Sequence, residues 1–317
     1  MTAAIELAQA ATAFRARVGT NTGIGSEALV RDGTPEQKRR WLPRLASGEL
    51  TGCLALTEPD AGSEASNVAT RAHRDGDAFV LDGTKRYITN APISQLFTVL
   101  ARTDPEAKDA DGVSAFIVEG PCAGLTVGPP YTKMGQAGSP VSEVRFDACR
   151  VPAENMVGAE GEGFKTIMKV LNKQRIHLAA LCTGSAIRMA EEAKRHARTR
   201  RQFGRPVGEH QLVRAMIADN ETEIAAARAL ILDTARRFDE GQDIRMSASM
   251  CKYFASEACG RVADRAVQVF GGAGYIAEDS CIERLYRDAR LFRLYEGTSQ
   301  IHQLTIGRFA LAATGTS

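Results

Sequence analysis

The feature of this sequence that most restricts the fold is a long stretch without proline, between Pro152 and Pro206. Apolar residues recur within it at the three- and four-residue intervals of an amphipathic helix. The residues that carry this spacing are Phe164, Ile167, Met168, Leu171 and Leu178. A helix over most of 162–200 would be roughly 55 Å long, at 1.5 Å per residue.

Three more helical patterns follow, at about 209–240, 243–270 and 279–312, and with the first they predict a C-terminal four-helix bundle. The region before the bundle differs in character. It carries short β-branched and aromatic runs separated by Asp-Gly and Pro/Gly turns, which predict a central antiparallel β domain. These runs are 78–81, 96–100 and 114–118.

The first 50 residues predict short helices, with Pro35 at a helix start behind a capping Thr34. The predicted fold is therefore α+β and multidomain. Its parts are a partial N-terminal helical domain (1–50), the central β domain (51–155) and the C-terminal four-helix bundle (156–317).

The bulk composition excludes several classes of function. A net charge of +2 over 317 residues, with 44% hydrophobic residues, indicates a globular protein without a field that would attract nucleic acid or an anionic membrane. The seven cysteines are scattered and form no C-x-x-C pair, which favours a reducing intracellular compartment. No run approaches the ~18 apolar residues of a membrane span, and no metal-ligand spacing, nucleophile elbow or phosphate-binding loop is present. We therefore expect no metal, no nucleic-acid partner and no membrane insertion.

Five short segments combine polar residues with glycine, proline or aromatic residues. They are 54–63, 85–90, 194–205, 268–275 and 295–300. Each has an ordinary interpretation: a turn that closes a strand, a strand surface, a solvated helix end, a helix C-cap, and a surface glutamate before a capped helix. Most of them also have a functional interpretation, since such residues can bind a flat heterocycle, a phosphate or a proton. Taken singly, the segments leave both interpretations open.

Taken together, in this order and at these separations, the five segments resemble the acyl-CoA dehydrogenase family of flavoproteins. The resemblance extends from about Gly33 to Arg308 and is strongest at 56–63 and 268–301. Tyr-Arg-Asp-Ala-Arg at 286–290, followed by Tyr-Glu-Gly-Thr-Ser-Gln-Ile from position 295, is close to diagnostic. Family members usually have a longer N-terminal helical domain, so the resemblance implies that the first helices are shortened here.

The resemblance implies FAD as the cofactor and assigns residues to it. The implied FAD contacts are Leu56, Thr57, Gly62, Ser63, Tyr87, Thr89, Arg200, Gln202, Phe203, His210, Gln211, Gln268, Gly271, Gly272, Thr298 and Gln300. The implied acyl-CoA contacts are Ser63, Asn172, Arg175, Gly297 and Arg308. Tyr87 stands where many members have tryptophan against the flavin. Arg200 is the implied pyrophosphate contact, in a segment that reaches the FAD of a neighbouring subunit.

The resemblance also implies a reaction, the α,β-dehydrogenation of an acyl-CoA thioester to the trans-2-enoyl-CoA. Glu296 is the implied base for the α proton, and flavin N5 is the implied hydride acceptor. Some members supply the base from the long bundle helix, immediately before the arginine matched by Arg175. Here that residue is Gln174, which cannot accept a proton. The implied donors to the thioester carbonyl are the Glu296 backbone N–H and a ribityl hydroxyl.

The family further implies an electron-transferring flavoprotein as electron acceptor, a homotetramer or homodimer, and a cytoplasmic role in fatty acid β-oxidation. Two alternatives stay open. One is an acyl-CoA oxidase or flavin monooxygenase of the same fold, because oxygen reactivity depends on solvent access and has no visible motif. The other is a non-catalytic flavoprotein associated with nucleic acid, which the net charge of +2 disfavours.

Overall fold

The computed structural model describes residues 1–107 and 110–312, and it confirms the predicted order of helices, strands and helices. Its α-helices are α1 (Thr2–Ala8), α2 (Thr12–Gly19), α3 (Glu27–Asp32), α4 (Pro35–Ser47), α5 (Gly163–Thr199), α6 (Gln211–Asp239), α7 (Arg245–Phe270), α8 (Ile282–Ala289) and α9 (Ser299–Ala312). Its strands are β1 (Gly52–Ala55), β2 (Arg71–Asp75), β3 (Ala78–Thr89), β4 (Leu96–Arg102), β5 (Val113–Glu119), β6 (Leu125–Val127), β7 (Val141–Pro152), β8 (Met156–Val157), β9 (Arg201–Gln202) and β10 (Arg205–Pro206).

The chain divides into two compact units. The helical unit comprises Met1–Arg15, Lys133–Gln136 and the chain from Asn172 onward. The sheet unit comprises Ala16–Thr132 and Ala137–Leu171. The predicted three-domain boundaries stay a prediction. No helix within the described residues combines the length and the apolar character that a bilayer span requires.

The helical unit is built from closely packed helices whose facing residues are mostly small. α5 has the length that the proline-free stretch predicted, and α7 packs against α6, α8 and α9. α1 also packs directly on α5. A Cβ at Gly184 would lie 2.1 Å from the carbonyl oxygen of Ile5, so this contact requires glycine. Alanines dominate the interior, which lets the helix axes approach one another.

The predicted fourth helix over 279–312 is wrong in one respect, because the segment forms two helices. After α8 the chain makes a single 3-10 turn (Arg290–Arg293), then a loop, then α9. In that loop Glu296 has φ +53° and Gly297 has φ +92°, values that a right-handed helix cannot contain. The break places Glu296 on a turn at the start of α9.

The sheet unit contains one eight-stranded sheet with the order β6-β7-β3-β2-β4-β5-β8, and β1 pairs with β4. Most neighbouring strands are antiparallel, as predicted, but β1 and β2 each run parallel to β4. Successive strand residues point to opposite faces. Phe97 and Phe116 accordingly belong to one apolar layer, whereas Leu96 and Ile117 pack with Trp41 in another. Both faces are therefore covered.

The predicted cap of α4 is present. The Gln37 backbone N–H donates to Thr34 Oγ1 at 3.2 Å, and the Thr34 backbone N–H donates to Gln37 Oε1 at 3.0 Å. Such a reciprocal capping box satisfies two backbone donors that the helix itself cannot pair. Gln37 Nε2 also donates to the carbonyls of Glu154 and Met156, which joins the start of α4 to the segment around β8.

Candidate active site

Glu296 lies in the turn before α9, and two buried side chains hold the backbone of this turn. Lys252 Nζ, from α7, donates to the carbonyl oxygen of Gly297 at 2.6 Å. His302 Nε2, from α9, lies 3.2 Å from the carbonyl oxygen of Glu296. Both side chains belong to residues with 0% exposure. Two consecutive carbonyls are thus each bound by a side chain from a different helix.

His302 acts as a neutral donor in this arrangement. Burial, together with the charges of Lys252 and Arg175, lowers its pKa to about 3, and the hydrogen bonds to the Glu296 and Gly297 backbone only partly offset these effects. A neutral imidazole carries a proton on one nitrogen only. Because its partner is a carbonyl oxygen, Nε2 must be the protonated nitrogen.

Two cations lie within electrostatic reach of the Glu296 carboxylate. Burial lowers the pKa of Arg175, and the charge of Glu296 partly offsets that effect. Burial likewise lowers the pKa of Lys252 to about 8, against the charges of Glu296 and Glu257. These two neighbours, a partly buried arginine and a fully buried lysine, favour a negatively charged group at this position.

The structure brings together several of the predicted acyl-CoA contacts. Arg175 interacts electrostatically with Glu296, and its Nη1 donates to Asn172 Oδ1 at 2.9 Å. Gly297 directly follows Glu296, the predicted base, in the sequence. Gln174, the rival base position, is a buried amide beside Arg175. Arg308 differs, since it is exposed near the end of α9.

Thr298 and Gln300 begin α9 next to the base. Thr298 Oγ1 accepts a hydrogen bond from the Ile301 backbone N–H at 3.3 Å, as an N-capping residue does. Gln300 is exposed. Ser299, between them, is buried and donates to Glu257 at 2.5 Å. The capped helix start of the ordinary interpretation is therefore present, whereas the role of Glu296 stays a prediction.

A second candidate site is a cavity of about 560 Å³, lined in part by His196, Arg200, Phe270, Gly272 and Tyr275. The rings of His196 and Phe270 stack with their centroids 4.1 Å apart. Burial, followed by the charge of Arg200, lowers the pKa of His196. A Cβ at Gly272 would meet no atom within 4 Å, so the glycine leaves space open. Two predicted FAD contacts, Arg200 and Gly272, therefore share one cavity.

The other predicted FAD contacts of this segment, Gln268 and Gly271, lie at the end of α7, close in sequence to the cavity residues Phe270 and Gly272. Gly271 ends α7 with φ +62°, and its backbone N–H bonds to the carbonyl oxygens of Val267 and Gln268. The glycine-rich segment therefore is a helix C-cap, as its ordinary interpretation held. Gln268 and Gly271 are both exposed.

The segment after α5 forms a small hairpin, β9–β10, where the sequence suggested a solvated helix end. Gln202 and Phe203 lie at its tip, and the Phe203 side chain is 92% exposed with φ +51°. His210 Nε2 lies 3.4 Å from the Gln202 carbonyl oxygen, and its ring meets Phe203 edge-on at 5.8 Å. Gln211 follows as the first residue of α6. The structure thus groups four predicted FAD contacts around one hairpin.

In the sheet unit, the two predicted flavin segments lie side by side. The Arg86 backbone N–H donates to the Thr57 carbonyl oxygen at 2.8 Å. Lys85 Nζ donates to the Leu56 carbonyl oxygen at 3.2 Å. Gly62 and Ser63 are exposed further along the same loop.

Tyr87 departs from the expected strand geometry. In a regular strand, residues two apart such as Tyr87 and Thr89 lie on the same face. The β3–β7 register shifts between Lys85 and Ile88, and Tyr87 has φ +60°, so the alternation is interrupted. Tyr87 is 59% exposed, with its ring 5.7 Å from that of Tyr131, whereas Thr89 is half-buried.

Sequence reasoning missed four residues that support these segments: Glu58, Lys85, Lys252 and His302. A signal for Lys252 was present, because Ala248, Lys252, Ala255 and Cys259 recur at the spacing of one helix face and are all buried. A lysine in such a row needs an internal partner. The described residues contain no group of three or more His, Cys, Asp or Glu side chains that could bind a metal ion.

Comparison with known proteins decides the family. Models of the acyl-CoA dehydrogenase N-terminal, middle and C-terminal domains match residues 1–49, 53–149 and 161–311. Cyclohexane-1-carbonyl-CoA dehydrogenase of Geobacter metallireducens is 41% identical over 285 residues, which are 90% of this chain and 74% of that protein. The chain belongs to the acyl-CoA dehydrogenase family.

Solved structures of the acyl-CoA dehydrogenase fold agree. Butyryl-CoA dehydrogenase from Megasphaera elsdenii superposes with a TM-score of 0.94 at 35% identity, covering 98% of this chain and 80% of that one. PigA, solved with FAD and proline, superposes with a TM-score of 0.92 at 30% identity, covering 95% and 78%. This oxidoreductase family is one of flavoproteins, and relatives of this chain act on acyl-CoA thioesters.

Proposed function

We propose that this protein uses bound FAD to oxidise an acyl-CoA thioester to its trans-2-enoyl-CoA, with Glu296 as the base that removes the α proton. The observation that carries this proposal is the turn at Glu296. Its backbone is left-handed, its carbonyls are bound by Lys252 and His302, and the Glu296 side chain lies within electrostatic reach of Arg175 and Lys252. Surface glutamates before a helix do not need such support. The rival position holds Gln174, which cannot act as a base.

The residues present fit FAD as the cofactor. The cavity at Arg200 combines a cation for a pyrophosphate, a stacked aromatic pair and a glycine that leaves open space. The exposed Tyr87 ring and the Thr57 backbone supply an aromatic face and polar groups for a flat heterocycle. The nearly fully exposed Phe203 ring suits a residue that contacts another molecule, as the implied cofactor of a neighbouring subunit requires.

In the proposed reaction, groups of the protein itself remove the α proton of the substrate. An α proton beside a thioester is far less acidic than a carboxylic acid. The thioester carbonyl must therefore be polarised while a base removes the proton. The Glu296 carboxylate takes the proton, and the Glu296 backbone N–H polarises the thioester carbonyl. Bound FAD supplies the acceptor for the β hydride. We also propose an electron-transferring flavoprotein as electron acceptor and a homodimer or homotetramer as the assembly.

Anaerobic titration with acyl-CoAs of graded chain length tests the proposal. We expect flavin absorbance to bleach with at least one of them, and a trans-2-enoyl-CoA to form in equal amount. Glu296→Gln should keep FAD bound and lower the bleaching rate by about 10²- to 10⁴-fold, as for loss of a general base. Unchanged bleaching in Glu296→Gln would remove Glu296 from the mechanism. Rapid peroxide formation on admission of air would favour the oxidase instead.

A further inference from the structure

The turn that carries Glu296 adopts a disfavoured backbone conformation. Glu296 has φ +53° although it is not a glycine, and Gly297 follows with φ +92°. An L-residue persists in this region only where the surrounding structure imposes it.

Lys252 is the first of two residues that hold the turn in this conformation. It lies on the core face of α7, with 0% exposure, among alanine neighbours such as Ala248 and Ala255. Burying an ammonium group is costly unless it is paired and hydrogen-bonded. The described hydrogen bond of Lys252 Nζ runs to the Gly297 carbonyl at 2.6 Å, within the range of a charge-assisted bond.

His302 is the second residue that holds the turn. It lies one helical turn into α9 with 0% exposure, and its Nε2 reaches the Glu296 carbonyl at 3.2 Å. The contact is close, since a Cβ at Gly297 would lie 3.0 Å from the same nitrogen. A side chain at position 297 would therefore crowd His302, and the hydrogen bond from His302 restrains the peptide group between Glu296 and Gly297.

We propose that Lys252 and His302 are positioning residues for proton removal: by binding two consecutive carbonyls, they fix the direction of the Glu296 carboxylate and backbone N–H. The inference rests on the proposed role of Glu296 as base. Neither residue needs to touch substrate. Proton transfer depends steeply on the geometry of base and substrate, so relaxation of this turn lowers the rate of the chemical step more than it lowers affinity.

The test compares variants that keep a hydrogen-bond donor with matched variants that lack it, in the FAD-loaded protein. His302→Leu removes the donor, whereas His302→Gln keeps an N–H at similar reach. Lys252→Met removes the ammonium and keeps the length. Arg261→Gln, an exposed position on α7 that pairs with Glu223, is the control. For each variant, anaerobic stopped-flow bleaching gives the rate at saturating acyl-CoA and the substrate Kd separately, per bound flavin.

We expect His302→Leu and Lys252→Met to lower the saturating rate by about 10- to 100-fold, as for a misplacement near 1 Å, while substrate Kd changes by less than about threefold. His302→Gln should recover most of the rate, and Arg261→Gln should match the wild type. Wild-type rates per bound flavin in both donor-deleted variants would overturn the inference, even if their thermal stability fell.

Failure of the inference is distinguishable from failure of the proposed function. If Glu296→Gln retains activity, the base assignment fails. If Glu296→Gln is inactive while His302→Leu and Lys252→Met react normally, only the positioning role fails. Should Lys252→Met not fold, the comparison of His302→Leu with His302→Gln decides, because equal rates in that pair contradict the proposal and a Gln-specific recovery supports it.

Discussion

Lys85 and Glu58 form an ion pair inside the sheet unit, with Nζ 2.6 Å from Oε1 and side chains that are 0% and 4% exposed. Glu58 also accepts the backbone N–H groups of Ala69 and Thr70, at 2.7 and 3.0 Å. Burial acts to raise the pKa of Glu58, but the charge of Lys85 and these hydrogen bonds outweigh it, so the pKa lies below its ordinary value. The pair therefore fastens the predicted flavin loop to β3.

Glu58→Gln should destabilise the protein substantially, because it leaves the Lys85 cation buried without a counter-charge. Loss of one partner of a buried pair costs about 3–5 kcal/mol. Urea unfolding of the purified protein measures this change. The exposed pair Arg39–Glu36 provides the control, and Glu36→Gln should leave the unfolding midpoint unchanged. Equal effects of the two substitutions would contradict the assigned role of the buried pair.

His302 makes the stability of the helical unit depend on pH. Its pKa is lowered to about 3 in the folded chain, so between the ordinary value of about 6.5 and that pH the unfolded chain binds a proton that the folded chain refuses. Stability is therefore lost as pH falls below 6.5. At pH 5 the loss is roughly 2 kcal/mol, from 1.5 pH units at 1.36 kcal/mol each.

His302→Gln has no imidazole that could bind a proton on unfolding, so its stability should not show this loss at low pH. Chemical unfolding of wild type and variant at pH 7.5 and pH 5.0 measures the difference between their pH slopes. The wild type should lose about 2 kcal/mol more than the variant over this interval. Parallel slopes would show that His302 is not protonated on unfolding in this range.

Gly297→Ala should impair both the fold and the reaction. The alanine would have to keep φ at +92°, and its Cβ would lie 3.0 Å from His302 Nε2. Such backbone strain costs on the order of 1–3 kcal/mol, and its relief would move Glu296. Gly241→Ala is a matched control, since Gly241 has φ +74° with nothing within 4 Å. Gly241→Ala should lower stability and leave turnover per flavin unchanged. Gly297→Ala should lower both stability and turnover per flavin.

Gly272→Val tests the cavity at Arg200. No atom lies within 4 Å of a Cβ at this position and Gly272 lines the cavity, so we expect the valine side chain to take up cavity space without a clash. We expect normal thermal stability of the apoprotein and a FAD affinity reduced at least tenfold, or about 1.4 kcal/mol. Fluorescence titration of apoprotein with FAD provides the affinity. Gly307→Ala, at another glycine with open space, should bind FAD normally; normal binding by Gly272→Val would place the cofactor elsewhere.

The elements of this fold were largely readable from the sequence, whereas the shape of the site was not. The long helix α5 followed from a proline-free stretch with helical spacing, and the α4 cap followed from Thr34 and Pro35. Both depend on local interactions. The break before α9 and the bulge at Tyr87 depend instead on positive φ values at non-glycine residues, which local sequence preferences disfavour. Donors distant in sequence, such as Lys252, hold the turn at Glu296, and no local pattern shows them to be its partners.

The most direct test of the central claim is α-hydrogen exchange catalysed by Glu296. 3,3-Dimethylbutanoyl-CoA carries α hydrogens but no β hydrogen, so it can lose a proton to the base and cannot be dehydrogenated. Incubation with the FAD-loaded protein in D2O, followed by mass spectrometry of the thioester, reports exchange alone. We predict deuterium incorporation by the wild type and only background incorporation by Glu296→Gln with FAD still bound. Exchange by Glu296→Gln at the wild-type rate would contradict the account.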